Sequence, residues 1–206
     1  MCLGMYQING LRCREILDEN RTLCEGRVRA TYLEIFTASK GRFLLPHLHM
    51  LARLGHPRVL LLAGLGIHDD FRTQLIWPMF LQPLVDFFGN STQRSSPPHR
   101  TEAVSKSPGA RSTALARWPK MVWVNTHAPG LLKSPLFPAQ SFEGVQFYNE
   151  EVARLLGPRG IPILDSFNMT APLHSVDGTH YGYGANTLKV HFLLNWIAER
   201  RDRGEW

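Results

Sequence analysis

Serine is missing from residues 1–26, cysteine is confined to them, and no apolar run in the chain reaches membrane length. The three cysteines, Cys2, Cys13 and Cys24, form no CxxC or Cys/His spacing of the kind that holds zinc. The longest apolar run, residues 59–67, is too short to cross a bilayer, and the opening MCLGMYQINGLRCRE lacks the apolar core of a signal peptide. Cysteine-built zinc modules and a membrane span within the chain are thereby excluded. Charge is also modest. Charged residues make up 19% of the chain, the net charge is +6 and the pI is near 9.5. Part of the basic excess sits in two places: Arg94, Arg100, Lys106, Arg111, Arg117 and Lys120, and the tail Glu199-Arg200-Arg201-Asp202-Arg203. Neither group is interleaved with aromatics, so both read as solvated flanks, and no nucleic-acid partner is expected.

What is present suits one α/β domain. The 206 residues, 44% of them hydrophobic, are enough for a single buried core and too few for two. Residues 12–23 read as a short helix, and the β-branched and aromatic run 27–36 as a strand. A polar turn at 37–41 leads into a helix over 43–54, with Leu44, Leu48 and Leu51 on one face and Gly55 and Pro57 as its stop. The unbroken apolar run 58–63 reads as a strand buried on both faces of a parallel sheet. A helix over 71–88, bent at Pro78 and Pro83, comes next. Between 89 and 119 the composition shifts to Ser, Pro, Arg and Thr, as in a disordered insertion. A strand at 121–124, a helix over 142–156 with Phe147, Val152, Leu155 and Leu156 inward, a strand at 161–164 and a last helix complete the alternation. Trp77, Trp123 and Trp196 read as core, and His47 and His49 as surface or partly packed. Strands alternating with helices imply a parallel sheet covered on both faces, with ligands bound at the carboxyl ends of the strands.

Four polar loops leave that edge, bearing Ser39/Gly41, His68/Asp69, Asn125/His127 and Asp177/His180. The most informative lies within 161–197, where Asp177-Gly178-Thr179-His180 stands between the last strand and a tail in which Leu188, Phe192 and Trp196 recur every four residues beside Val190, Leu193, Leu194 and Ile197. A carboxylate three residues ahead of a histidine can take the Nδ1 proton, fix the tautomer and present Nε2 as a general base. The plainer reading is a turn in which Asp177 binds nearby backbone N–H groups and His180 caps or packs.

With these blocks in that order, the chain from 27 to 196 resembles the SGNH (GDSL-like) hydrolase superfamily, in particular its PC-esterase-like branch, whose last block reads Asp-Gly-x-His. The resemblance implies a flavodoxin-like sheet and an acyl- or acetyl-ester substrate that a glycan could carry, with no cofactor and no metal. By the same resemblance Asp177 and His180 are the acid and base of a Ser-His-Asp triad. Gly41 falls where the family places an oxyanion-hole glycine. Gly66-Ile67-His68-Asp69 stands where the family has Gly-x-Asn-Asp, which puts His68 in the position of the side-chain oxyanion donor. Asn125 is a further substrate-side candidate.

The nucleophile departs from the pattern. No strand running into Gly-Asp-Ser opens the chain, Ser39 follows the wrong strand, and Ser134, Ser141, Ser166 and Ser175 lie in later loops. The expectation is a hydrolase domain inactive as it stands, either lacking an N-terminal segment that brings the first, central strand, or a catalytically dead relative. Two other classes stay open. One is a non-catalytic glycan- or protein-binding module on the same fold. The other is a metal-dependent hydrolase using His68, Asp69 and His127. Sequons at Asn20, Asn90 and Asn168 lean towards the secretory pathway, where a Cys13–Cys24 bridge can form.

Overall fold

A computed structural model describes residues 17–23, 25, 28–33, 35–53, 59–93 and 120–205. Two small sheets organise them. Strands β1 (Leu17–Leu23) and β2 (Val28–Leu33) pair antiparallel, with Leu17 opposite Leu33 and an irregularity between Asp18 and Arg21. Strands β3 (Leu60–Ala63), β4 (Lys120–Val124) and β5 (Ile163–Leu164) form a parallel sheet in the order β3-β4-β5. The molecule is therefore mixed α/β, with a parallel core sheet of three strands among the described residues.

Several expectations change. The helix expected over 12–23 is strand from Leu17 onwards, and 12–16 lie outside the described residues. The strand expected over 27–36 exists as Val28–Leu33, yet it joins β1 in a separate hairpin instead of the parallel sheet. Among the described residues β3 is an edge strand of its sheet, and Leu62 is 41% exposed, so this run is not buried on both faces. An apolar run reports hydrophobicity, not how many neighbours the sheet supplies.

A 3₁₀ turn (Ala38–Phe43) leads into α1 (Leu44–Arg53), whose Leu44 and Leu48 are buried. After β3 come α2 (Thr73–Ile76), a π-helical turn (Trp77–Leu81) and α3 (Gln82–Gln93). Pro78 lies in the π turn and Pro83 in the first turn of α3, and each removes a backbone donor, which is where the bend was expected. Helix α3 carries 89–93, so the expected insertion cannot begin before 94; residues 94–119 lie outside the described residues.

Helix α4 (Phe142–Leu156) starts at Ser141, whose hydroxyl accepts the Gly144 N–H at 3.1 Å as an N-cap. Its buried stripe is Val145, Tyr148, Val152 and Leu156, spaced three, four and four apart, as a 3.6-residue period requires. Phe147 is 62% exposed, against expectation, because it stands two residues off that stripe. Asp165 caps α5 (Ser166–Thr170), accepting from the N–H groups of Phe167 and Asn168 at 3.1 Å each, and it also takes the Asn168 side-chain amide.

The core runs from Leu44 and Leu48 through Ile76, Leu81 and Leu84 to Trp123, Val152 and Leu156. Of the three tryptophans expected in the core only Trp123 is fully buried. Trp77 and Trp196 are half-buried under the guanidinium groups of Arg159 and Arg200. Helix α6 (Tyr183–Asp202) has no buried residue, and Leu188, Val190, Phe192 and Leu194 are exposed. At 100° per residue, 188, 190, 192, 193, 194, 196 and 197 spread over about 240° of the cylinder, so no single narrow face collects them. No described helix is long and apolar enough to cross a membrane.

Candidate functional site

The strand ends carry two tied pairs of loops. The loops after β2 and β3 are joined by Asp69, a buried carboxylate whose Oδ2 accepts the Ala38 N–H at 2.7 Å across 31 residues of sequence. Beside it the turn is tight: Asp70 and Phe71 take φ of 49° and 54°, a left-handed pair unusual for such residues. The buried Phe71 ring packs on Tyr148, whose hydroxyl donates to the Leu65 carbonyl at 2.6 Å. Burial raises the Tyr148 pKa, and the Asp69 charge raises it further. Asp69→Ala would leave the Ala38 N–H buried without its acceptor. We expect a loss of about 2 kcal/mol in urea unfolding, whereas a loss within error would show that Asp69 does not tie these loops.

The loops after β4 and β5 are joined more densely. Gly130 N–H donates to the Gly178 carbonyl at 3.0 Å, and Tyr181 OH donates to the Ala128 carbonyl at 2.7 Å. Ala128 N–H donates to Thr170 Oγ at 2.9 Å. Within this frame the His180 Nδ1 lies 2.7 Å from Asp177 Oδ2, while Asp177 Oδ1 accepts the N–H groups of Thr179 and His180 at 2.9 and 2.7 Å. The same carboxylate thus closes the turn and orients the imidazole, combining the two readings its spacing allowed. The side chains of His180 and Asp177 are 35% and 41% exposed.

His127 stands next to this pair. Its Nε2 faces the Thr179 carbonyl at 2.7 Å and therefore carries the proton, while Lys189 Nζ lies 3.5 Å from Nδ1. Burial first, then the Lys189 charge, with smaller contributions from His180 and Lys133, push its pKa down to about 4, against a raising effect of the Thr179 carbonyl. Because the unfolded chain takes up this proton near pH 6.5 and the folded one only near 4, stability is complete above the higher value and is lost as the pH falls between the two. The share at stake is about 2–3 kcal/mol. Urea unfolding at neutral pH and near pH 4.5 should show a drop that His127→Gln reduces, and an equal drop in the variant would remove His127 as its source.

A cavity of about 20 Å³ lies between the two loop pairs, lined by Ile67 and Phe71 on one side and by His127, Lys133, Gly178 and Thr179 on the other. Three of the four expected loops thus meet in space around it or beside it. The remaining candidates sit differently. Gly41 is buried behind the rim, where a Cβ would come within 2.6 Å of the Phe80 ring and 3.2 Å of the Met79 carbonyl. His68 is exposed, edge-on to Phe36 with 5.0 Å between ring centroids. Asn125 donates to Asp165 Oδ1 at 3.4 Å, and its carbonyl accepts from Ser166, so it serves the cap of α5. Asp69 and His127, proposed with His68 as metal ligands, are turned to Ala38 and Thr179, and no group of three metal-binding side chains occurs among the described residues.

Each serine weighed as a nucleophile has a hydrogen-bond partner. Ser39 bonds Thr37, Ser134 the Leu136 N–H, Ser141 Gly144, Ser166 Asn125 and Ser175 the Gly178 N–H. Sequence reasoning missed Lys133 and Lys189. Lys133 sits in a Pro-rich loop and Lys189 inside an apolar helix pattern, and nothing in either context marks a lysine that reaches the rim. No family model matches the chain, nor does any curated protein or solved structure.

Proposed function

We propose that the Asp177–His180 pair is the acid–base half of an SGNH-type ester hydrolase centre on a flavodoxin-like scaffold, acting on acyl or acetyl esters. The observation that carries it is the 2.7 Å contact between His180 Nδ1 and the Asp177 carboxylate, half-exposed in the loop between α5 and α6. That contact places the imidazole proton on Nδ1, which leaves Nε2 the basic nitrogen, as deprotonation of a serine or a water requires. In the proposed scheme the serine oxygen attacks the ester carbonyl, its proton passes to His180, and the same proton goes to the departing alcohol. Water then repeats the sequence on the acyl-enzyme.

The 206 residues hold no strand running into Gly-Asp-Ser, so we expect background turnover from them. The test joins a strand–Gly-Asp-Ser–helix segment ahead of residue 17 and measures hydrolysis of 4-nitrophenyl acetate, with His180→Ala as the control. Turnover that survives His180→Ala unchanged would sink the assignment.

A second reading, a non-catalytic binding module, draws on the loop 131–137. There Leu131, Leu132, Leu136 and Phe137 are 97%, 70%, 83% and 50% exposed beside the same cavity. Apolar surface of this kind marks interaction sites. This reading predicts no turnover in any form of the chain and a partner held at this rim.

A further inference from the structure

The rim that holds Asp177 and His180 also holds two ammonium groups, and what surrounds them bears on which esters fit. Lys133 Nζ donates to Thr179 Oγ at 2.6 Å, and Lys189 Nζ lies 3.5 Å from His127 Nδ1 and 5.5 Å from the centroid of the Tyr181 ring. Both therefore converge on the His127–Thr179 contact, one from the loop after β4 and one from α6. Neither lies within ion-pair distance of a carboxylate among the described residues; Asp177 acts on Lys133 only at longer range. Burial lowers the pKa of both. Two partly desolvated cations flanking one His127–Thr179 contact repel each other and cost stability unless an anion answers them. The neighbouring histidine adds no charge at neutral pH, being held in its neutral form.

We infer that Lys133 and Lys189 form an oxyanion-binding subsite beside the Asp177–His180 pair, so that the favoured ester substrate carries a carboxylate or sulfate group close to its ester. The inference rests on reading this rim as the substrate site. Lys133 lines the cavity of about 20 Å³, which is too small for a sugar ring, so only a small terminal group of a ligand could enter beside it. Lys189 is not part of that lining and stands on the α6 side, at His127 Nδ1. The Thr179 hydroxyl, which now accepts from Lys133, is a neutral contact beside it. An anion there would bond to the ammonium hydrogens that currently meet only neutral acceptors, and charge-assisted bonds are the stronger kind.

The test uses the 206-residue chain and measures binding alone, so it can fail or succeed independently of ester turnover. D-glucuronate and inorganic sulfate are titrated against it, with D-glucose as the uncharged counterpart, following the Thr179 and His127 signals by NMR. We expect saturable shifts with at least one anion, none with glucose at the same concentration, and weakening as salt is raised. Lys133→Met and Lys189→Met should each weaken binding about tenfold, and Lys133→Arg should restore most of it. Far-UV circular dichroism screens the variants for folding, and Lys189→Arg replaces Lys189→Met if the latter unfolds. Equal response to glucose and glucuronate, no response to either anion, or binding indifferent to loss of both lysines overturns the inference.

Discussion

In a chain supplied with the serine block, His180→Ala is expected to lower ester turnover about 10³-fold or more, with Asp177→Asn falling nearly as far. The two substitutions remove different things. Alanine at 180 deletes the base. Asparagine at 177 keeps an oxygen that can accept the Thr179 and His180 N–H groups, which Asp177 Oδ1 now takes at 2.9 and 2.7 Å, so the turn persists. What it changes is the partner of Nδ1: an amide N–H would point where Oδ2 accepts at 2.7 Å, forcing the proton to Nε2 and leaving no base towards substrate. Asp177→Ala opens the turn as well and so mixes the two effects, which makes asparagine the cleaner variant. His127→Gln provides the contrast. It removes an imidazole from the same rim, but one whose Nε2 is committed to the Thr179 carbonyl, and it should cost far less than His180→Ala. Steady-state kinetics on 4-nitrophenyl acetate separates these outcomes, and equal losses at 127 and 180 would mean that loop integrity, not base catalysis, is being read.

The alternation of β3, β4 and β5 with helices was legible because each strand is a short apolar run closed by turn residues. Likewise α4 shows in its own spacing, from the Ser141 cap to Leu156. The DGTH turn was legible too, since its hydrogen bonds lie within three residues of sequence and local chemistry determines them. What the chain concealed was non-local. The pairing of β1 with β2 depends on which edge is offered, and nothing within residues 12–36 states that. The exposure of α6 depends on its neighbours, and its apolar residues recur too densely to reveal which face is covered. Asp69 reaches Ala38 across 31 positions, and Lys133 reaches Thr179 across 46. Such contacts are properties of the assembled loops and leave no periodic trace.

Gly178→Ala is expected to be the most damaging single-atom change at the site, about 3–5 kcal/mol. Two separate costs meet there. Gly178 has a φ of 84°, a conformation that strains any residue with a Cβ, for about 1–2 kcal/mol. The added Cβ would also collide with the Lys133 backbone nitrogen and Cα and come within 2.6 Å of the Leu132 carbonyl carbon. These are backbone atoms, so no side-chain rotation relieves the overlap; the two loops must part, and the bond from Gly130 N–H to the Gly178 carbonyl at 3.0 Å goes with them. Gly160 separates the two costs. It has a φ of 68° and open space where its Cβ would lie, so Gly160→Ala measures the backbone strain alone. Gly184, in α6 with nothing within 4 Å, should accept alanine with a neutral or slightly favourable effect. Urea unfolding of the three variants should therefore rank 178 far below 160, and 160 below 184. Displacing the loop also moves Asp177 and Thr179, its immediate neighbours, so His180 would lose its fixed orientation even in molecules that remain folded. A loss at 178 no larger than at 160 would mean that the loops after β4 and β5 do not pack as closely as the Gly130–Gly178 contact requires, and the placement of Asp177 and His180 at the rim would lose its support.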